Sequence, residues 1–486
     1  MTRTEIPQAA LDTRNTGKPV LSPRCLPAVA AAGAGLAAWL PESGGPGIFL
    51  LLVALFAGLA VVLAGGFEPV PATLAFAAAG LVFVTMPSIR AAEWLAFPNL
   101  LLALVFAALA VANPRTWTDA LTGVLAPSAR LPHVPGALFR SASAAAGSAN
   151  PARVVSLARG LLIGGVLVTV FWALFASADR AFAQLTENLL PDWDLGLIPA
   201  RIFLFIVACT VTSAFVLAGI SGSPGWLKSL VGQVGSLKYK LGRTEWIAVL
   251  GMLNALFLAF AIVQVVVLFQ GHDHILETAG LTYAEYAREG FIQLLFAAAL
   301  TIPIVSLTWT RSSRNGGVDE VLIKILLGLL CLLTLGIVVS ALRRLGLYEE
   351  AFGFTRSRLA AHALAFWLGA LLLAIVIAGA TDRTKWLFYT TAALTALTVI
   401  GFNLINPDAA IAKRNWQRYL DNDKIDTEYL SDLSVDAVPF LAGLNTDLSK
   451  QVLEELSQGL SQDEPWSSAN LSRIRARSIL EETPVR

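Results

Sequence analysis

Charge is scarce in this chain: 14% of its 486 residues are Asp, Glu, Lys or Arg, where a soluble globular protein carries about 25%. That shortfall excludes an ordinary water-facing globular protein. It is what hydrocarbon demands as a solvent, because ionised groups are costly there. Cysteine is equally scarce. Cys25, Cys209 and Cys331 stand far apart among apolar neighbours, with no CxxC or zinc spacing. They read as small packing groups, and neither a structural metal nor a cofactor is expected. The net charge of +1 excludes a global basic field, so no nucleic-acid partner is expected. There is no GxxxxGK[ST] phosphate loop, so intrinsic ATP use is not expected. The stretch MTRTEIPQAALDTRNTGKPV is polar and lacks an early apolar core, which argues against a cleaved signal peptide.

What the chain has instead is oil: 56% of its residues are hydrophobic. A bilayer core of ~30 Å takes about 20 apolar residues as a helix, and about eleven such runs are present. The first four are Leu26–Leu40, Ile48–Ala64, Pro71–Met86 and Ala92–Ala112. The next four are Leu161–Ala178, Ile202–Ile220, Trp246–Phe269 and Phe291–Trp309. Val321–Leu342, Leu359–Ala380 and Trp386–Leu404 complete the series. Runs of this length predict helices, which satisfy every backbone group internally. The expected fold is all-α and polytopic, with a small helical tail domain. Residues 1–25 form an N-terminal tail, 26–112 the first four spans, 113–156 a linker, 157–404 spans five to eleven and 405–486 the C-terminal tail.

Lysine and arginine in the loops set the orientation. Arg3, Arg14, Lys18 and Arg24 precede the first span. Arg115, Arg130, Arg140 and Arg153 follow the fourth, and Lys228, Lys238, Lys240 and Arg243 follow the sixth. Arg311 and Arg314 follow the eighth, and Arg383 and Lys385 the tenth. Eleven spans place all of these on one side, which the rule makes cytoplasmic. The N-terminus and the 113–156 linker are then inside and the C-terminal tail outside. The linker, rich in Ala, Ser and Pro, reads as partly disordered or as a surface helix pair. In the tail, Leu448, Val452, Leu456 and Leu460 fall at near-helical spacing, as do Leu471, Ile474 and Ile479.

One stretch breaks the charge pattern. LRRLGLYEEAFGFTRSRL, Leu342 to Leu359, is arginine-rich yet falls on the outer side. It reads as a tight turn, with Gly346 and Gly353 supplying sharp backbone geometry and its arginines held by carboxylate partners. Three other polar stretches end spans on the same side: ASADRAF, YAEYAREGF and NPDAAIAKRNWQRY. Together they nominate a ligand-binding cluster at the outer interface. From the first two come Asp179, Arg180, Tyr283, Glu285, Tyr286 and Arg288. From the turn come Arg343, Arg344, Tyr348, Glu349, Glu350, Arg356 and Arg358. Asn406 and Asp408 complete it. The alternative is that these groups only anchor helix ends in the headgroups.

Other signals are weaker. His272 and His274 make an HxH, too few ligands for a metal site. His362, Asn254 and Gln264 lie within spans and read as packing or interhelical glue. GISGS at Gly219–Ser223 fails the GxSxG pattern at its last position. Lys324 can snorkel to the headgroups. Pro98 and Pro303 interrupt spans. No catalytic constellation is evident, and no span carries a carboxylate at its centre, which weakens a proton-coupled pump.

YAEYAREGF, LRRLGLYEEAFGFTRSRL, GFNLINPDAAIAKRN and IDTEYLSDLSVDAVPFL, in that order, resemble the bacterial membrane family called domain of unknown function 4173, over roughly Val154 to Leu441. The resemblance implies a polytopic protein of the bacterial inner membrane and no reaction. The expectation is a non-enzymatic sensing, scaffolding or regulatory role at the cell envelope, with the bilayer, and an envelope protein or lipid headgroup at the outer face, as partners. The alternatives are a transporter or flippase for a small or lipidic anion, lined by Arg343, Arg344, Arg356 and Arg358, and an envelope enzyme with Glu349 or Glu350 as general base. Oligomeric state is left open.

Overall fold

The computed structural model describes residues 25–39, 48–145, 198–235, 240–269, 290–314, 316–444, 446–458, 460 and 469–482, with a few single positions between 160 and 175. Among these residues every regular element is a helix, apart from one isolated bridge between Leu241 and Ser312. Eight helices among the described residues are long and apolar enough to cross a membrane. The protein is therefore an all-α polytopic membrane protein. The expected fifth span, Leu161–Ala178, lies almost wholly outside the described residues.

The chain divides into two compact units. One comprises residues 1–88, 100–234 and 463–469, the other residues 89–99, 235–462 and 470–486. In the first unit, α1 (Leu26–Trp39), α2 (Phe49–Leu63), α3 (Pro71–Ile89, its last residue apart) and α4 (Glu93–Ala112, from residue 100 on) lead to the 113–156 stretch. Within it, residues 117–145 form a helix pair, α5 (Trp117–Arg130) and α6 (Val134–Ala145), joined by a 3-10 turn; α7 (Ile198–Ser221) and α8 (Gly225–Gly235) follow. Its core gathers Cys25, just before α1, and Ala28 and Val29 of α1 with Ala60 and Val61 of α2, Val134 and Ala137 of α6, and Ala214, Val216 and Leu217 of α7. Small residues let backbones approach closely, as membrane packing without a hydrophobic drive requires. Gly219 lies so near the Gly66 backbone that a Cβ would collide with it.

The second unit holds a bundle of α9 (Arg243–Phe269), α10 (Phe291–Arg311), α11 (Gly317–Phe352), α12 (Arg356–Thr381) and α13 (Leu387–Leu404). Trp246, Leu250, Leu295, Ala298, Ile323, Leu327, Leu330, Leu368 and Leu372 fill its centre. Met252, Leu256, Phe296, Val339, Phe366 and Leu397 point outward and are exposed. Large apolar groups on the outside are what a lipid solvent favours, while polar groups such as Asn254, Thr301 and Thr334 are turned inward among the apolar core. Asn254 donates to the Leu326 carbonyl across helices, and Gln264 accepts from Ser340. Pro98 lies inside α4 and Pro303 inside α10, and neither ends its helix.

The helices alternate in direction. Trp246 at the start of α9 donates to the Ser313 carbonyl past the end of α10. Arg243 pairs with Asp319 at 2.9 Å and Lys324 with Asp382 at 2.6 Å, all at that same end. The opposite end carries Gln264, Phe291 and the LRRLGLYEEAFGFTRSRL stretch.

The tail folds as α14 (Pro407–Asn422), α15 (Thr427–Ser431), a 3-10 turn at Val435–Ala437, α16 (Val438–Ala442), α17 (Asp447–Gln458) and α18 (Leu471–Glu482). Pro407 sits in the first turn of α14, where its missing N–H costs nothing. Ile411, Leu430, Val438, Leu441, Val452, Leu453 and Ala476 form a second core, into which Leu359 of α12 inserts.

Candidate functional site

The stretch expected to be a tight turn is mostly helix. α11 runs 36 residues without a break, from Gly317 to Phe352, a length of ~54 Å against a ~30 Å hydrocarbon core. Arg343, Arg344, Glu349 and Glu350 therefore ride on its last turns, and Gly346 is a helix-interior residue. Arg and Glu are good helix formers, which is why charge alone does not end the helix. The reversal is confined to Gly353–Thr355. Gly353 has φ +83°, and a Cβ there would lie 2.8 Å from Asn415 Oδ1, so glycine is required on both counts.

Residues of α14 finish the reversal. Asn415 accepts from the Phe354 N–H at 2.7 Å and donates to the Phe354 carbonyl at 2.8 Å. Arg418 donates to the Glu350 and Ala351 carbonyls, two acceptors that the end of a helix leaves unsatisfied. Arg358 donates to the Gly353 carbonyl and stacks 3.9 Å over the Tyr348 ring. Arg344 reaches Gln264 Oε1 at 3.4 Å. His362 Nδ1 lies 3.4 Å from the buried Glu349 carboxylate and 3.3 Å from the Arg358 carbonyl. Arg343 and the Glu350 side chain are exposed.

The tightest arrangement centres on Asp408, which is 0% exposed. Its Oδ1 accepts from Arg356 Nε at 3.1 Å and from Trp94 Nε1 at 3.2 Å. Its Oδ2 accepts from Arg356 Nη2 at 2.7 Å and from the Ser434 N–H at 2.8 Å. A carboxylate has about four acceptor positions, so this one is saturated. Burial by itself pushes the Asp408 carboxyl up, but the bidentate Arg356 guanidinium and Ser434 outweigh it and hold the group below its ordinary value. Tyr429 accepts from the Arg356 N–H at 2.8 Å, and its phenol is pushed up, chiefly by burial.

A second carboxylate is held in the same way. Asp436 accepts from the Ala92 N–H at 2.9 Å, from Ser434 Oγ at 3.0 Å and from Ser472 Oγ, with Arg90 Nη1 at 3.8 Å. Arg90 also donates to the Asn403 and Leu404 carbonyls at the end of α13. Asn406, in the left-handed region at φ 54°, caps α14 through Ala409 and donates to the Asp436 carbonyl. Deeper, Asn99 and Asn403 exchange amide hydrogen bonds of 3.0 and 3.1 Å.

Of the residues nominated from sequence, Arg344, Tyr348, Glu349, Arg356, Arg358, Asn406 and Asp408 thus gather where the tail meets the bundle. Asp179, Arg180, Tyr283, Glu285, Tyr286 and Arg288 lie outside the described residues, as do His272 and His274. Arg90, Trp94, Asn415, Arg418, Tyr429, Ser434, Asp436 and Ser472 are part of the arrangement and were not nominated. Among the described residues, no three His, Cys, Asp or Glu side chains stand close enough to hold a metal ion.

A helical bundle whose charged end is closed by a helical tail defines a class: a multi-pass membrane protein with a polar collar. Within that class, the chain matches the family described as Domain of unknown function (DUF4153) over residues 76–444 and belongs to it. This corrects the resemblance to domain of unknown function 4173. The match begins at residue 76, well before Val154, and takes in spans that the short charged motifs do not sample. Charged blocks between apolar runs recur wherever helices leave a bilayer, so they separate such families poorly. No curated protein and no solved structure matches the chain.

Proposed function

We propose that the chain has a non-enzymatic scaffolding or regulatory role at the cell envelope, in which the tail reports the state of the bundle. One observation carries this. The saturated Asp408 carboxylate joins Arg356 of α12, Trp94 of α4 and the Ser434 backbone of the tail. A shift of α12 therefore moves the tail with it. An acceptor with every position filled has no room for a ligand or a substrate proton. An anion passage lined by arginines is disfavoured on the same ground, since Arg356 is held by Asp408 and Arg358 by Gly353 and Tyr348.

The setting we propose is the inner membrane of a bacterium, with the N-terminus cytoplasmic and the tail outside. Lys240, Arg243, Arg311, Arg314, Arg383 and Lys385 all belong to the bundle end away from the tail, which supports that orientation under the positive-inside rule. The tail would then meet an envelope protein or lipid headgroups. The test compares strains lacking the chain, complemented by the native form or by Arg356→Ala, alongside proteoliposome assays of the purified protein. The reading expects complementation by the native form only, and neither turnover nor anion uptake in liposomes. Turnover of a lipid or envelope substrate by the purified chain, or full complementation by Arg356→Ala with its tail loosened, overturns it.

A further inference from the structure

Two short helices of the first unit present large apolar side chains outward although they lie outside the spans. On α5, Leu121 and Leu125 are 51% and 40% exposed, and Trp117 continues the stripe one turn earlier. The opposite side of α5 is small: Ala120, Gly123, Ala126 and Pro127 are buried, and Gly123 meets Ala112 so closely that a Cβ would collide. On α8, Trp226 and Leu230 are 58% and 54% exposed, Leu227 and Val231 are buried, and Lys228 and Ser229 are exposed on a third side. That division gives α8 one face for protein, one for oil and one for water.

Both helices are fixed where spans end. Arg130, the last residue of α5, donates to the Ser221 and Gly222 carbonyls at the end of α7. Ser223 Oγ, just before α8, donates to the Thr122 carbonyl in the middle of α5 at 3.1 Å. Ala112, against which Gly123 packs, is the last residue of α4. The two outward stripes therefore lie at the level where α4 and α7 leave the hydrocarbon. Ile220, beside the end of α7, is likewise exposed, at 42%.

We infer that α5 and α8 form an interfacial platform that lies in the bilayer surface, with Trp117, Leu121, Leu125, Trp226 and Leu230 sunk to the headgroup boundary. The occupant of the exposed stripes is lipid. Tryptophan favours that boundary because its ring is apolar and its N–H is wet. Leucine a turn away extends the same burial. Exposed Arg115 and Lys228 stand beside the stripes, where phosphate headgroups would meet them. A small-residue back with a large-residue front is the reverse of a helix whose outer face meets water.

The test is site-directed spin labelling of the full chain in lipid nanodiscs, with Cys25, Cys209 and Cys331 replaced by alanine. Single cysteines go in at Leu121, Leu125, Leu230 and, as the water-facing reference, Lys228. Collision rates with oxygen and with a water-soluble nickel chelate are compared. The inference expects oxygen to dominate at the three leucine positions and the nickel chelate to dominate at Lys228. Nickel-dominated collisions at the leucine positions overturn it, because the platform then faces water. Immobile spectra with label–label broadening at those positions also overturn it, because they assign the face to a second copy of the chain. Four separate variants keep the result readable if one of them fails to fold.

Discussion

Replacing Arg356 by methionine keeps most of the side-chain volume and removes the guanidinium. Asp408 then keeps only the Trp94 and Ser434 donors, at 3.2 and 2.8 Å, for a carboxylate with no solvent exposure. Removing one member of a buried pair costs about 3–5 kcal/mol. The Arg356 side chain retains 30% of its exposure, so the pair is not wholly dry, and ~3 kcal/mol is the appropriate end of that range. The loss falls on local opening of the tail, which hydrogen exchange reads at the amides of α14. In that regime ~3 kcal/mol corresponds to roughly 100-fold faster exchange. The double variant Arg356→Met with Asp408→Asn removes the stranded charge while keeping an acceptor for Ser434, so it should open less than the single variant does. If the single variant exchanges within about threefold of the parent, under ~0.7 kcal/mol, then Asp408 is not the hub and the coupling argument falls with it.

Further outcomes follow from the same geometry. Asp408 has a lowered carboxyl pKa, so its contribution is whole at and above the ordinary carboxylate range and is lost only as pH falls through the lowered value. Pepsin should therefore leave the tail closed down to about pH 4 and cut it on further acidification; cutting that begins well above that point would contradict the assignment. Gly353→Ala places a side chain at φ +83° and 2.8 Å from Asn415 Oδ1, and should raise exchange at Phe354 and in α14 by the equivalent of about 1–3 kcal/mol. Lys324→Met breaks a pair whose aspartate side chain is 63% exposed. It should change thermal stability by less than ~1 kcal/mol, read from unfolding in detergent.

Much of the fold is legible in the sequence, because a lipid solvent writes in long words. Apolar runs such as Pro71–Met86 and Ala92–Ala112 become α3 and α4 with ends shifted by a few residues. The end of α11 is misread because Arg343, Arg344, Glu349 and Glu350 look like a loop to a hydropathy scan, while helix propensity and the Arg418 cap carry the helix on to Phe352. The collar is legible on one side only. Arg356 and Asp408 could be nominated because each lies in a dense local motif. Arg90 and Trp94 lie in the short connection between α3 and α4 and at the start of α4, and their partners are more than three hundred residues away. No spacing rule crosses that distance. The available signal was Arg90 itself, a lone cation between two apolar runs.

The amide pair of Asn99 and Asn403 bears on how the chain is made. The two residues are 304 positions apart, and at 5–20 residues per second their synthesis is separated by roughly 15–60 s. For that interval α4 holds a carboxamide in oil with only the Leu95 carbonyl of its own helix to receive it. The late arrival of α13 supplies the missing half, so the first-made part of this molecule is finished by nearly the last.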